Sequence, residues 1–389
     1  ATDEGGKVTI SFAAWEYERQ IYEPLAKKFG EEHPNIEVVI VPLDDLVNVS
    51  GPNADYSAFA QLRRVVAGAD TAPAQVASPE TLGSSLLLDL APQMDADSSF
   101  KRDDYYPGAL EQYTIGGATR VLPRYVYVQL LSYNKDMLKE VGLPAPKLGW
   151  SWNDLLGMAE QLASKNGSDF DRYGYLDISG GFSPLLALLK ERNIDLFQAQ
   201  AGQVRLDQPE VIESVTRLRG LIGSGALYRP DYGGRPQGPA DGPIDQPVDP
   251  SQVIRDGKIG IWAQDFLGFA GPRPIEGGGS SQSTELPFQV GTIAYPANMV
   301  NPYTNVDGYI VSAGTEHPTE AWQWIEFLSR QQTDQAVAMG MAAAGGYSPP
   351  GRIPARQSVA DQNGFWNNLD AETAEAYKWA IANPQPPIT

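Results

Sequence analysis

The chain contains no cysteine among its 389 residues, which excludes disulfides, thiolate metal centres and thiol nucleophiles together, while leaving the redox compartment open. Histidine is nearly absent too. His33 and His317 are each followed by proline, in "EEHPN" and "TEHPTEA", contexts that read as helix-flanking turns rather than as ligands or bases. Basic side chains are also scarce, 29 against 48 acidic ones, and the formal net charge of −19 repels phosphate backbones and anionic headgroups. Nucleic acid is therefore not an expected partner. No apolar run approaches the roughly 20 residues that cross a bilayer.

What is present describes a folded chain. Hydrophobic residues make up 42% and charged residues 20%, ordinary values for a globular protein. At this length two lobes are expected, since one domain usually holds about 100 to 200 residues. The opening "ATDEGGKV" shows no signal peptide, and such a small polar tether suits a processed, exported chain.

Val8, Ile10 and Phe12 alternate with Thr9 and Ser11, then Ile21, Leu25 and Phe29 recur at helical spacing, and "NIEVVIVP" supplies a second apolar strand. This pattern predicts a β-α-β unit with parallel strands and a right-handed crossover. In open parallel sheets ligands bind beyond the carboxyl ends of the strands, where Trp15, Glu16 and Tyr17 fall. These aromatics either present flat surfaces to a ligand or cover the edge of the sheet.

Further along, "TRVLPRYVYVQLLSYNKDMLKEVGLP" predicts a long strand, with Tyr125 and Tyr127 on one face, and an amphipathic helix. Both tyrosines are read either as site residues or as ordinary strand residues. Ser151 and Asp154 form a capping-box pattern. Val211, Val215, Leu218 and Ile222 make one helical stripe, and Ala321, Trp324, Ile325 and Leu328 another. The segments 232–250 and 275–285, rich in proline, glycine and serine, read as loops. Asp169 and Asp171 have calcium-loop spacing, but Gly180 replaces the glutamate at the twelfth position, so the segment reads as a loop and no metal is expected. Trp262 continues an apolar strand and is expected in the core, and Trp150 and Trp152 flank a helix start as packing or cleft residues. Arg352 reads as a solvated arginine or an anion contact.

In order along the chain, "FGEEHPNIEV", "SLLLDLAPQMD", "VLPRYVYVQLLSYNKDMLKEVGLPAP", "SWNDLLGMAEQLA", "YGYLDISGG", "DGKIGIWAQD", "VGTIAYP" and "HPTEAWQWIEFLS" resemble the extracellular solute-binding proteins of ATP-driven importers. The likeness is to the sugar-binding group that includes maltose-binding protein, and it covers nearly the whole chain. It implies an α/β, two-lobe periplasmic-binding-protein fold with a hinge and an interlobe cleft. The first lobe would hold residues 1–124 and 308–342, the second residues 125–307 and 343–389. Where many relatives have Gly-Gly-Trp near the last crossover strand, this chain has "VDGY", which brings Asp307 and Tyr309 into question as determinants of what is recognised. The lipid-bearing cysteine of Gram-positive relatives would precede Ala1.

The resemblance implies an extracytoplasmic, lipid-anchored or periplasmic receptor. It would be a monomer without cofactor or catalytic residues that closes on a carbohydrate and delivers it to permease subunits. A sugar offers apolar C–H faces and a ring of hydroxyls, and so needs flat aromatic surfaces with fixed donors and acceptors. Approximate motif matching points to Trp15, Glu16, Tyr17, Ser78 and Glu80 from the first lobe, and to Arg124, Tyr125 and Tyr127 from the crossing strand. Phe182, Gln264, Asp265, Phe266 and Tyr347 are the matching positions of the second. Rival readings are a glycoside hydrolase built on two carboxylates, or a receptor for a polyol, a glycerol phosphate derivative or a peptide. A phosphate would use "SGGFSP" at a helix start or a pair such as Arg124 and Arg352.

Overall fold

The alternating segment forms the strand Val8–Ala14, which pairs in parallel with Ile36–Pro42 from Val8 opposite Ile36 to Ala14 opposite Pro42. The helix Arg19–Glu32 connects them and buries Ile21, Tyr22 and Phe29, so the expected β-α-β unit is present. The structure is a computed structural model that describes residues 6–48, 55–167, 169–194, 196, 205–230, 249–264, 286–296, 307–331 and 352–383. Two compact units emerge, Ala1–Val128 with Tyr303–Leu369, and Gln129–Pro302 with Asp370–Thr389.

The first unit is centred on a sheet of order Ile36–Pro42, Val8–Ala14, Thr71–Pro73, Gly308–Val311, Leu122–Pro123. The strand Gly308–Val311 runs antiparallel to both its neighbours. Glycine is required at its start because a Cβ on Gly308 would lie 2.3 Å from the Leu122 carbonyl oxygen. One face of the sheet packs an aromatic cluster. Phe12 meets Tyr22 at 4.7 Å and Trp324 at 5.7 Å between ring centroids, and Trp324 meets Phe29 at 5.3 Å. Trp324 belongs to the helix Pro318–Ser329, whose expected stripe of Ala321, Trp324, Ile325 and Leu328 is wholly buried. The two histidines flank helices as the prolines suggest, His33 ending Arg19–Glu32 and His317 preceding Pro318–Ser329.

The second unit has the sheet order Leu227–Tyr228, Asp169–Leu176, Ile259–Ala263, Leu130–Asn134, Val290–Ala294, with Leu130–Asn134 antiparallel to both neighbours. Trp150 and Trp152 lie in its apolar core, where Trp150 Nε1 donates to the Ala294 carbonyl at 2.9 Å. Trp262 is buried as expected. The capping box forms at the helix Trp152–Leu162. Ser151 Oγ accepts from the Asp154 amide at 3.1 Å, and the Asp154 carboxylate accepts from the Ser151 amide at 2.8 Å.

Four expectations change. The long strand is broken into Leu122–Pro123, Tyr125–Tyr127 and Leu130–Asn134, because proline at 123 and a change of sheet interrupt the ladder. Asp169 and Asp171 sit in the strand Asp169–Leu176, paired to Ser164–Asn166, and not in a loop. On the helix Pro209–Ser224 the buried positions are Val211, Ser214 and Leu221, with Leu218 and Ile222 packed alongside, while Val215 is exposed. The last passage between units lies at 369/370, not 342/343. Residues 352–369 stay with the first unit because Arg352–Pro354 pairs with Tyr125–Tyr127 and Arg356 bonds Glu326 at 2.9 Å and Asp104 at 3.3 Å. The other two passages fall at 128/129 and 302/303, a few residues from 124/125 and 307/308. The segment 275–285 and most of 232–250 lie outside the described residues.

Candidate functional site

The first strand ends at Ala14, and the chain turns through Trp15 into the short 3-10 turn Glu16–Glu18 before the helix begins. Trp15 is half-buried against the core of the unit, whereas Tyr17 is 58% exposed. Their rings lie nearly parallel, 10° apart in plane with centroids at 6.5 Å. Two flat apolar faces of like orientation thus stand at the carboxyl end of a sheet strand. The turn is held from the short helix Leu43–Val47 that follows the second strand, since the Glu16 amide donates to Asp44 Oδ2 at 2.9 Å.

Glu18 turns inward and is buried, and its Oε2 has no hydrogen-bond partner among the described residues. Burial raises its pKa against the pull of Arg124. Beneath it lies a polar cluster gathered from distant parts of the chain. Arg124 Nε and Nη2 both reach Asp307 Oδ1, at 3.1 and 3.0 Å, and Nη1 donates to the Tyr22 hydroxyl at 3.1 Å. Asp307 Oδ2 faces Arg352 Nη2 at 3.0 Å. The ring of Tyr125 receives both cations, Arg124 at 4.9 Å and Arg352 at 5.5 Å from its centroid. Burial alone would lower the Arg124 pKa, but the neighbouring Asp307, Tyr309, Tyr22 and Glu18 outweigh it and keep the guanidinium charged. At Tyr17, partial burial together with the Glu18 and Asp44 carboxylates raises the phenol pKa.

The structure thus brings Trp15, Glu16, Tyr17, Arg124, Tyr125 and Asp307 into one region of the first unit. Arg124 and Asp307 are buried within it as supports. Tyr309 is a correction: its ring is wholly buried against Phe12 on an interior strand of the sheet, and it packs the core instead of facing a ligand. Tyr127 is half-buried opposite Arg352 in its two-stranded ladder. Ser78 caps the short helix Pro79–Leu82, on which Glu80 is exposed. In the second unit Phe182 is 46% exposed at the start of the helix Phe182–Lys190. Gln264 is half-buried, and its Oε1 accepts from the Tyr377 hydroxyl at 3.4 Å. Asp265, Phe266 and Tyr347 lie outside the described residues.

Two further sequence readings are overturned. Arg352 is not a free solvated arginine, because Asp307 holds it. "SGGFSP" does not offer an open helix start to phosphate. The buried carboxylate of Asp177 already takes that place, accepting from the Ser179 amide at 3.0 Å and from the amide of Gly181. Gly181 itself, at φ 99°, adopts the left-handed conformation that glycine permits. Sequence reasoning missed Glu18 and Tyr22. Their i, i+4 spacing across a turn was the available signal, although nothing local marks either as facing Arg124.

Aromatic faces and clamped polar groups beyond the strands of an α/β sheet suit ligand binding, and comparison with known proteins supplies the two-lobe solute-binding class. The family model of the bacterial extracellular solute-binding proteins matches residues 14–335, and the chain belongs to that family. A probable ABC transporter-binding protein of Deinococcus radiodurans is 21% identical over 247 residues, 60% of this chain and 53% of that protein. The chain thus spans about half the length of this curated relative. Among solved structures, the sugar-binding protein MalE of Xanthomonas citri matches with a TM-score of 0.60 at 18% identity, over 97% of this chain and 86% of its own. UgpB of Mycobacterium tuberculosis, in complex with glycerophosphocholine, matches with a TM-score of 0.53 at 14% identity, over 98% and 87%. At such identities the structural likeness speaks for the fold.

Proposed function

We propose that the chain is an extracytoplasmic receptor that binds a carbohydrate, a mono- or oligosaccharide, and delivers it to the permease subunits of an ABC transporter. Trp15, Glu16 and Tyr17 form the first unit's binding surface, with Tyr125, Tyr127, Ser78, Glu80 and Tyr347 as its further candidates, and Phe182, Gln264, Asp265 and Phe266 are contributed by the second. The ligand is captured by closure of the two units, which favours the closed arrangement by the ligand's differential contacts with it. The working form is a monomer, anchored by lipid or free in a periplasm.

One observation carries the reading: the nearly parallel rings of Trp15 and Tyr17 at a strand's carboxyl end, beside charged groups that are already paired. Flat apolar faces next to fixed donors and acceptors fit the two kinds of surface a sugar presents. A thermal-shift screen across mono- and oligosaccharides tests it. At least one should raise the melting temperature by mass action and be recovered without new reducing ends. If every carbohydrate fails, a polyol, glycerol phosphate derivative or peptide becomes the ligand. If reducing ends accumulate, the chain is a hydrolase.

A glycerol phosphate derivative is the second reading, favoured by one observation, the convergence of Arg124 and Arg352. Against it, the carboxylate of Asp307 occupies the position between them that an anion would take.

A further inference from the structure

The two arginines on Asp307 are not equivalent. Arg124 is 6% exposed and commits its hydrogens to Asp307 and Tyr22, whereas Arg352 is 24% exposed. The Nε of Arg352 has no hydrogen-bond partner among the described residues. Asp307 Oδ2 meets Arg352 as an ion pair without completing a well-formed hydrogen bond. Pairing in the ladder opposite Tyr127 fixes the backbone of Arg352, and the Tyr125 ring supports its guanidinium. A partly open, oriented donor fork therefore stands within electrostatic reach of the exposed Tyr17.

We propose that Arg352 is the specificity-determining donor of this site, that Asp307 is its positioning residue, and that together they select uncharged, hydroxyl-bearing ligands over phosphorylated or carboxylated ones. The inference rests on the carbohydrate reading and deepens it. Around Tyr17 the charges are mixed in sign: Glu18 and Asp44 are acidic, Arg124 and Arg352 basic, and Asp307 bridges the two cations. An added anion finds no uncompensated positive charge and must approach carboxylates that repel it. The side chain of Arg352 keeps part of its surface open while Asp307 offsets its charge, so it can donate to a ligand hydroxyl without offering an anion a free cation.

Matched pairs of probes test this: glucose with glucose 6-phosphate, trehalose with trehalose 6-phosphate, and glycerol with glycerol 3-phosphate. Each is titrated calorimetrically, at one ionic strength, into the full chain and into R352Q, R352K and D307N. The neutral member of at least one pair should bind at least tenfold more tightly than its phosphate. R352Q should weaken that neutral probe at least tenfold, and R352K, which keeps the charge without the fork, should recover part of the loss. D307N should reduce the neutral-to-phosphate affinity ratio at least fivefold, a ratio that a merely structural defect leaves unchanged. If D307N does not fold, the arginine variants decide. Tighter binding of a phosphate by the wild type, or a neutral probe bound equally by R352Q, overturns the inference while the receptor reading survives. Binding of no member of any pair overturns the inference, and the carbohydrate reading then stands or falls with the wider thermal-shift screen.

Discussion

The strands Val8–Ala14 and Asp169–Leu176 hold the same place in their respective sheets, second from an edge, and each leads into a helix. Their carboxyl ends are treated in opposite ways. In the second unit the exit is locally self-sufficient. Asp177 accepts from Ser179 and Gly181 within four residues, and the Ser179 hydroxyl oxygen in turn accepts from the Ser183 amide in the first turn of the helix. In the first unit the helix Arg19–Glu32 has no side-chain cap, aromatic rings stand open, and Glu18 is buried among groups drawn from residues 124, 307 and 352. A strand end that satisfies itself carries little binding potential. One that depends on distant partners can be completed by a ligand.

This contrast is broken most severely by Asp307→Ala, which leaves two guanidiniums facing a cavity. Removing one partner of a buried pair typically costs about 3–5 kcal/mol, so the urea midpoint should fall sharply without a change of m-value. In the second unit, Asp177→Ala leaves the amides of Ser179 and Gly181 without their acceptor and is expected to cost about 1–3 kcal/mol by the same measurement. Equal losses from the two variants would erase the distinction between distant and local satisfaction.

Trp15→Ala should leave the fold intact and weaken carbohydrate binding at least tenfold by calorimetry, because a central stacked aromatic contributes about 2 kcal/mol or more on truncation. Phe182→Ala, at the equivalent exit of the second unit, provides the matching measurement. Unchanged affinity in the Trp15 variant removes that ring from the site.

The finest distinction concerns two glutamates of opposite character. Burial raises the Glu18 pKa above 4.5, so folding favours its protonated form, and its contribution is fullest below 4.5 and is lost as pH rises through the folded value. Glu18→Gln should therefore be neutral in acid and stabilising at pH 7. For Glu372, burial is outweighed by Lys135 at 2.5 Å, the Tyr133 hydroxyl and the Thr292 amide, and the pKa is lowered below 4.5. Its stabilisation is present above 4.5 and fades as pH falls through the folded value. Glu372→Gln should cost stability at neutral pH and little in acid. Unfolding curves of both variants across pH 3–8 should thus diverge in opposite senses, and parallel curves would contradict the assigned environments.

Much of the architecture was legible in the sequence because its signals are local. Period-two alternation marked Val8–Ala14, the Ser151–Asp154 spacing marked a helix start, and the 321, 324, 325, 328 stripe marked a buried face. Trp15, Glu16 and Tyr17 were legible as candidates because strand ends in parallel sheets are where ligands bind. What escaped depends on pairing across hundreds of residues. Nothing near Arg352 announces that it lies opposite Tyr127 or that Asp307 holds it, and so it read as an ordinary surface arginine. Tyr309 misled for the same reason: a departure from relatives in "VDGY" drew attention to a ring that packing against Phe12 buries. The glycine beside it answers to strand packing, and no local rule distinguishes that from a ligand's approach.

A crystal structure of the chain with the carbohydrate that stabilises it most should show an intact sugar ring lying against Trp15 and Tyr17, with a hydroxyl within hydrogen-bonding distance of Arg352. A sugar bound with all three residues untouched, or cleaved in the site, would contradict the proposed receptor.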